Sequence, residues 1–556
     1  MKIEEYFLQS SIFNNQSSFP CHLAVLPFYH FTRRGTKTMD NIITQVESIL
    51  PIWVCMVPIT FCILIFALGG IHRIFREGLA LLGLIVTFCI SIAICGRIVS
   101  GEILTAWNDN LYVDGLSALM ELISSFMGII IVLYSIKYIV HEKSDKPLTN
   151  WRQTYFYGLL VLVIGMMNWT CVTNSIIMMW VFMEGTTLSV VFLITFYWRR
   201  ESMEAGYKYL LLVSVGVTFA LLGCILIYSG AIPHLPEHRL LLFTEMGKIA
   251  KAIPESIVLI ACAMFIVGFG AKAGLIPFHA WLPDTYSEAP VPISVLLSGV
   301  VTKIGAYALA RTITFFTPGH SAVVTFVVIL SSVGMVIGMV MALVQDDLKR
   351  MLAYSSISHI AYIIGGLGLG TYLGIYGGLY HLVNHTIIKA LLFLCAGALM
   401  YSAGSRKISE LRLVAKRMPV TGFCFFVGAL AIGGMPPFNG FMSKFTLFLA
   451  AADSKYLWAA VIGIFTSLLT IACFAWAACR IFWTKPQRAS HGGANPGHEA
   501  TGVDETPAHE AKEVPVSMWI GMIVLALLCI ALGVYPRLIY PILDSATKCI
   551  LKILGA

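Results

Sequence analysis

The sequence predicts an all-α polytopic membrane protein of about fourteen transmembrane helices, and three observations predict it. Apolar residues make up 58% of the 556 positions and charged residues only 12%, about half the charge of an ordinary soluble domain. Apolar runs long enough to cross a bilayer as helices recur from about residue 50 to 540, separated by short polar loops. Two of these runs, GLIPFHAWLPD and GGMPPFNGF, are broken by proline, which removes a helical hydrogen bond at a depth where only protein or enclosed water can replace it. β-barrel patterning is absent.

In chain order the spans fall near 50–70, 79–99, 113–140, 155–171, 172–198, 206–230, 254–276, 290–311, 321–345, 351–370, 376–401, 418–450, 456–483 and 515–538. The breaks, at Pro277 with Pro283 and at Pro436 with Pro437, then fall in spans 7 and 12. Each broken span is the fourth of five, in spans 4–8 and spans 9–13. Paired interruptions of this kind point to two inverted five-helix repeats. The chain divides into a tail (1–49), spans 1–3 (50–153), a first repeat (154–311), a second repeat (321–483), a polar loop (484–514), and span 14 with a C-terminal tail (515–556).

Basic residues set the orientation. One set of alternate loops holds Arg73 and Arg76; Lys143, Lys146 and Arg152; Arg199 and Arg200; Lys349 and Arg350; Arg406 to Arg417; and Arg480, Lys485 and Arg488. The other side is poor in both residue types apart from Arg239, Lys248 and Lys251. This places the first set in the cytoplasm and both termini outside. Arg33, Arg34 and Lys37 run against that assignment, and Met39 offers an alternative start downstream of them. No twin-arginine or cleavable signal pattern opens the chain, so the first span is expected to serve as the insertion signal.

Composition also excludes some classes. The formal charge of +8 is distributed over loops and is no nucleic-acid footprint. The 14 cysteines stand singly, without a CxxC pair, as small packing residues do. His491, His498 and His509 in the polar loop are irregularly spaced and favour a solvated loop over a metal site. The GGLGLG run at 365–370 ends a span and has no βαβ unit around it, so it is not a dinucleotide loop.

The functional signal is charge where it does not belong. Glu184, Lys208, Lys272, Lys303, His359, His381, His385, Lys389 and Lys444 all fall within predicted spans. Each costs at least ~2.5–3.5 kcal/mol at mid-bilayer, so they must be paired, neutralised or hydrated in an interior path. A structural pair near a helix end is the bland alternative for any single one. Lys208 lies near a span start, where it can snorkel to the headgroups, and His359 can simply bond a backbone carbonyl. His381, His385 and Lys389 recur every four residues, on one helix face about 6 Å apart in height. Two imidazoles and an amine on one stripe suit a proton relay. A metal site is the rival, but neither HExxH nor a nearby carboxylate accompanies them.

The segments LYVDGLSAL, WVFMEGTTLS, GLIPFHAWLPDTYSEAPVPISVLLSGVVTKIGAY, QDDLKRMLAYSSISHIAY, HLVNHTIIKALLFL and GGMPPFNGFMSKF together resemble one family. It comprises the antiporter-like subunits of respiratory complex I, of membrane-bound hydrogenases and of Mrp-type cation/proton antiporters. The resemblance covers roughly residues 50–540, and MEGTTLSVVFLITFYWRRESMEAGYKYLLL is most similar to the F-type subunit of hydrogenase-4 complexes. It implies that Glu184 and Lys272 form a charge pair, that Lys303 is the eighth-helix relay residue, that His381, His385 and Lys389 line a central watery path, and that Lys444 is the terminal twelfth-helix residue. Lys444 departs from the fourth-subunit type of complex I, where Glu replaces it. The long lateral helix of the largest antiporter-like subunit is not expected after span 14.

Proton translocation is therefore expected, in a bacterial or archaeal cytoplasmic membrane and driven by redox chemistry in partners. Moving one charge against ~100 mV costs about 2.3 kcal/mol. No flavin, quinone or metal motif is evident, so iron–sulfur, nickel–iron or flavin centres are expected only in other subunits, on a peripheral arm beside further membrane subunits. A Mrp-type sodium/proton antiporter subunit and a non-pumping scaffold are the alternatives.

Overall fold

The computed structural model describes residues 44–141, 148–236, 239–249, 252–316, 321–411, 414–483 and 512–554. Met39, most of the polar loop with its three histidines, and the loop lysines Lys143, Lys146, Lys251 and Lys485 lie outside the described residues. Contacts separate Met1–Thr44 from Gln45–Ala556, and the fold described is that of the second unit.

Thirteen helices among the described residues are long and apolar enough to cross a membrane, and the chain is a multi-pass membrane protein. The first three are α1 (Leu50–Leu68), α2 (Arg73–Val99) and α3 (Gly115–His141). Between α2 and α3 a small antiparallel hairpin, β1 (Glu102–Ala106) and β2 (Leu111–Val113), pairs Leu104 with Val113 and Ala106 with Leu111. Its turn is made by Trp107, Asn108 and Asp109, all at positive φ. Next come α4 (Asn150–Val172), α5 (Ile176–Ile194), α6 (Arg200–Ala231), the short α7 (Phe243–Ile249) and α8 (Glu255–Ala273). After the first break follow α9 (Trp281–Glu288), then α10 (Val291–Leu296) and α11 (Thr302–Phe316), joined by one π-helical turn over Leu297–Val301. The second half comprises α12 (Ser321–Leu343), α13 (Leu348–Gly368), α14 (Tyr372–Ala403), α15 (Pro419–Gly433), α16 (Asn439–Ala452), α17 (Leu457–Phe482) and α18 (Val516–Val534).

The predicted span 12 is two short helices, α15 and α16, neither of them among the thirteen long ones. Pro283 does not break anything: it sits in the first turn of α9, where proline costs no hydrogen bond. The tail expected after span 14 instead forms α19 (Tyr540–Leu554). It approaches α3 so closely that a Cβ on Gly115 would lie 2.4 Å from the Ala546 nitrogen.

Burial divides the bundle. The segment from α10 through α11, together with α13 and α14, is buried almost throughout, whereas most of α1 and α2 is half-buried or exposed. α14 is the axis. Close approach around it needs small residues: Gly366 of α13 faces Gly374 and Gly378 of α14, with backbone atoms 2.9–3.0 Å from where its Cβ would be. This is what the glycine run at 365–370 does. Helix starts are capped where the sequence allows it. Asp347 accepts from the backbone nitrogens of Lys349 and Arg350 at 2.9 and 3.1 Å, and Thr371 from Gly374 at 3.1 Å. At the end of the polar loop, Glu513 accepts from Val420 N at 2.9 Å and Thr421 Oγ1 at 2.7 Å, capping α15.

Several basic loop residues prove to be structural. Arg76 lies inside α2, 2% exposed, and reaches Asn150 and Gln153 of α4. Arg350, in the first turn of α13, bonds Asp284 at 2.6 Å and the loop residue Arg406 bonds Glu288 at 2.9 Å, so two arginines hold α9. Arg239 and Lys248 share Glu245, at 3.3 and 2.9 Å.

Candidate functional site

Both breaks use the same helix ending. α8 closes on Gly274 at φ +80, with Leu275 N bonded to Gly270 O at 2.9 Å. α15 closes on Gly434 at φ +85, with Met435 N bonded to Leu430 O at 3.1 Å. Glycine in the left-handed region lets the chain turn while the last carbonyls find donors. Pro277 then separates α8 from α9, and Pro436 with Pro437 separates α15 from α16.

The two lysines beside these breaks are wired differently. Lys272 precedes its break and is fully buried; its Nζ donates to Thr187 Oγ1 of α5 at 2.7 Å and to Tyr209 OH of α6 at 3.2 Å. Lys444 follows its break, on α16. It reaches back to the exposed carbonyl end of α15, donating to Ile432 O at 2.9 Å and Gly433 O at 3.2 Å, and to Ser467 Oγ of α17 at 3.0 Å. Unsatisfied carbonyls at a helix C-terminus form a natural cation seat.

The charge pair expected between Glu184 and Lys272 is not closed: among the described residues no ion pair within 4.0 Å joins them. Thr187 and Tyr209 occupy the ammonium. The Glu184 carboxylate turns to Ser214, accepting from its Oγ at 2.5 Å, and leaves its second oxygen buried and without a hydrogen-bond partner. The separation is short, since Lys272 also points at the carbonyl of Met183 at 3.5 Å, one residue from Glu184.

Between the lysines sits a cluster of imidazoles. His381 and His385 project from α14 as the spacing predicts, and His359 of α13 joins them rather than bonding a carbonyl: its Nδ1 lies 3.0 Å from His381 Nε2. His381 Nδ1 is in turn 3.0 Å from Ser443 Oγ, the residue before Lys444. The ring centres of His359 and His385 are 5.3 Å apart, and both nitrogens of His385 are buried without a hydrogen-bond partner. Tyr362, one turn on from His359, lies under the Lys444 ammonium at 5.6 Å. Lys389 donates to Leu352 O at 2.9 Å and to Ser355 Oγ.

Lys303 is the second residue of α11, just after the π turn, and donates to the Ser298 carbonyl within that turn. Single π turns recur at functional sites. Thr386, one residue past His385, bonds Gly299 O at 2.9 Å and fixes α14 against the turn. Lys208 stands apart from this row. Its side chain is 44% exposed and ion-paired to Glu204 at 2.8 Å and Asp284 at 2.9 Å, so it is a bridge at the bundle's edge rather than a buried site.

Three charged residues escaped the sequence reading. Asp114 and Arg311 form a bidentate pair at 2.5 and 2.6 Å with side chains 1% and 7% exposed. Glu121, one turn and a half into α3, is fully buried with neither carboxyl oxygen hydrogen-bonded. All three lie within or beside predicted spans, so the criterion that found the lysines applies equally to them. Among the described residues no group of three or more His, Cys, Asp or Glu is arranged to hold a metal ion.

A helical membrane bundle threaded by unpaired buried lysines and histidines defines an ion-translocating class of protein. Comparison narrows it. Residues 173–470 match the family described as "NADH:quinone oxidoreductase/Mrp antiporter, TM", and the chain belongs to this family. It is 31% identical over 440 residues to NADH-quinone oxidoreductase subunit N of Desulforudis audaxviator, covering 77% of this chain and 82% of that one. It is 33% identical over 362 residues to a hydrogenase-4 component F homolog of Methylacidiphilum infernorum, covering 64% and 76%. Among solved structures it superposes on a chain of the membrane-bound sulfane sulfur reductase, an archaeal respiratory membrane complex, with a TM-score of 0.80 and 26% identity, covering 91% of this chain and 99% of that chain.

Proposed function

We propose that the chain translocates protons as an antiporter-like membrane subunit of a redox-driven complex of the membrane-bound hydrogenase or NADH:quinone oxidoreductase type. The observation that carries this reading is the buried row itself: Lys272, Lys303, His385, His359, His381, Lys389 and Lys444, whose ammonium groups bond neutral carbonyls and hydroxyls instead of carboxylates. Such seats let a proton leave without stranding a counter-charge. Glu184, one turn from the Lys272 seat, is the switch: closing the pair would hold Lys272 charged, and opening it would release the field along the row. Partner subunits would supply the disturbance and carry the iron–sulfur, nickel–iron or flavin centres. The basic loops would face the cytoplasm, and α4–α11 and α12–α17 would be the two inverted repeats.

The test is Lys272→Ala and, separately, Lys303→Ala in the assembled complex in sealed vesicles, with redox turnover and proton movement recorded together. Pumping should fall roughly tenfold or more, as expected for loss of a proton-transfer group, while the complex still purifies intact. Full pumping by both variants would leave only a scaffold. Movement that follows a sodium gradient without electron input would replace the redox reading with a gradient-driven exchanger.

A further inference from the structure

Glu121 belongs to no part of the row just described. It projects from α3 into the seam where α1, α2 and α4 meet, within electrostatic reach of Cys55, Cys95, Cys171 and Asp114. It is 0% exposed, and neither oxygen has a hydrogen-bond partner among the described residues. Hydroxyls one turn along α3 are bonded elsewhere: Ser124 Oγ donates to Asn168 Oδ1 at 2.8 Å, and Ser125 Oγ to the Glu121 backbone carbonyl at 2.7 Å. A bare carboxylate in such a place is strongly disfavoured. One carboxyl with no further acidic ligand is also a poor seat for a cation. A proton completes it.

Polar side chains of α11 and α3 stand near both this carboxyl and the central row. Lys303, Tyr307 and Arg311 stand four residues apart on one face of α11. Arg311 donates to Asp114 and, through Nη2, to Ser117 Oγ at 2.8 Å, while its Nε donates to Tyr307 OH at 3.1 Å. Ser117 and Tyr307 both donate to the Cys171 carbonyl, at 2.6 and 2.7 Å. Ser117 precedes Glu121 by one turn of α3. Because Asp114 at the start of α3 meets Arg311 late in α11, the two helices descend together from that pair. Helical rise puts Glu121 about 10 Å and Lys303 about 12 Å below it, which sets them at matching depth, each about one turn below Ser117 or Tyr307 on its own helix.

We propose that Glu121 is a proton-binding site on a side branch that leaves the central row at Lys303 and passes Tyr307 and Ser117 into the seam of α1–α4. The inference rests on the proton-translocating reading for the row it joins. Beyond Glu121 the seam continues as hydroxyls and amides, with Ser125 3.4 Å from Ser91 of α2 and Asn168 bonded to Val54 O of α1 at 3.1 Å, so the branch gives the row a polar route out through its least buried helices.

The experiment uses the whole complex in sealed vesicles and two readouts. Infrared difference spectra taken across a pH titration should contain the carbonyl stretch of a protonated carboxyl that is missing from Glu121→Gln. Pumping per electron should fall roughly tenfold in Glu121→Gln, with redox turnover and subunit composition kept, and recover in part in Glu121→Asp. Tyr307→Phe, which removes one hydroxyl and no packing volume, should lower pumping while leaving the carboxyl band in place, and it tests the link even if Glu121→Gln assembles poorly. An unchanged band in Glu121→Gln overturns the proton site; an absent band with full pumping overturns the branch. Lys272→Ala is run alongside. If Lys272→Ala alone abolishes pumping, the branch fails and the main row stands; if Lys272→Ala also pumps fully, the main reading has failed, and the band still decides whether Glu121 binds a proton.

Discussion

Replacing Asp114 by Asn should destabilise the protein more than replacing Asp114 and Arg311 together. Asp114 does two jobs: it caps α3, accepting from Leu116 N and Ser117 N at 3.0 Å each, and it neutralises Arg311 through both guanidinium nitrogens. Asn keeps the cap and the shape but leaves a guanidinium buried without an opposing charge, which costs ~3–5 kcal/mol. Asp114→Ala loses the cap as well, adding ~1 kcal/mol. Arg311→Leu strands the carboxylate instead, at a cost of similar order but softened by the two backbone donors that stay. The double variant Asp114→Asn/Arg311→Leu leaves no buried charge at this site and should cost less than either single change, because replacing a buried pair with neutral groups is often close to neutral. Unfolding of the purified protein by detergent titration, followed through tryptophan fluorescence, gives all four stabilities for a double-mutant cycle. Additive losses, with the double variant as weak as the sum of the singles, would refute the claim that the pair is coupled.

Three further outcomes follow from the geometry. Gly440→Ala places a Cβ 1.8 Å from the Ala431 carbonyl oxygen; backbone against backbone cannot give way, so the halves of the second break must part, at about 3 kcal/mol or more, seen as a lowered melting temperature. Lys208→Ala removes a half-exposed bridge to Glu204 and Asp284 and should change stability by ~0–1 kcal/mol in the same assay. His385→Phe removes two buried nitrogens that lack partners, each a liability of ~1–3 kcal/mol, so melting should hold or rise while proton transport falls; a variant that loses stability in step with transport would mark His385 as a packing residue.

The spans were legible because a bilayer demands long apolar runs, and no loop competes with that signal. The boundaries were less so: Arg73 and Arg76 look like loop residues by charge, yet Arg76 is drawn into α2 by the side-chain oxygens of Asn150 and Gln153, which a linear reading cannot pair with it. α19 escaped because fifteen residues of mixed polarity resemble a tail until α3 offers Gly115 as a surface. In the site, the i, i+4 stripe of His381, His385 and Lys389 was readable from spacing alone. The contact of His359 with His381 was not, since it depends on how α13 crosses α14. The expected Glu184–Lys272 pair followed from resemblance, and the local hydroxyls of Thr187, Tyr209 and Ser214 displaced it.

Those hydroxyls bear on how a lysine can give up a proton without leaving its seat. An ammonium offers three donors and accepts nothing, whereas a neutral amine also needs a donor for its lone pair. A carbonyl can accept from either state but cannot donate to that lone pair; a hydroxyl can turn and do both. Lys272 has Thr187 and Tyr209, Lys389 has Ser355, and Lys444 has Ser467, each beside at least one carbonyl. A carboxylate in the same place would hold the charge, because separating an ion pair in a low-dielectric interior is far costlier than reversing a hydroxyl. Ser467 is the cleanest place to ask. Ser467→Ala leaves Lys444 its two α15 carbonyls, so the charged form stays seated and assembly should be kept, while the neutral form loses its donor and transport slows by about tenfold, the worth of one hydrogen bond of ~1.4 kcal/mol. Ser467→Asp should stop transport more completely by binding the ammonium outright. Vesicle pumping rates for the two variants decide it: equal and undiminished rates would mean that the hydroxyls beside the lysines are packing groups, and that the row exchanges its protons through water alone.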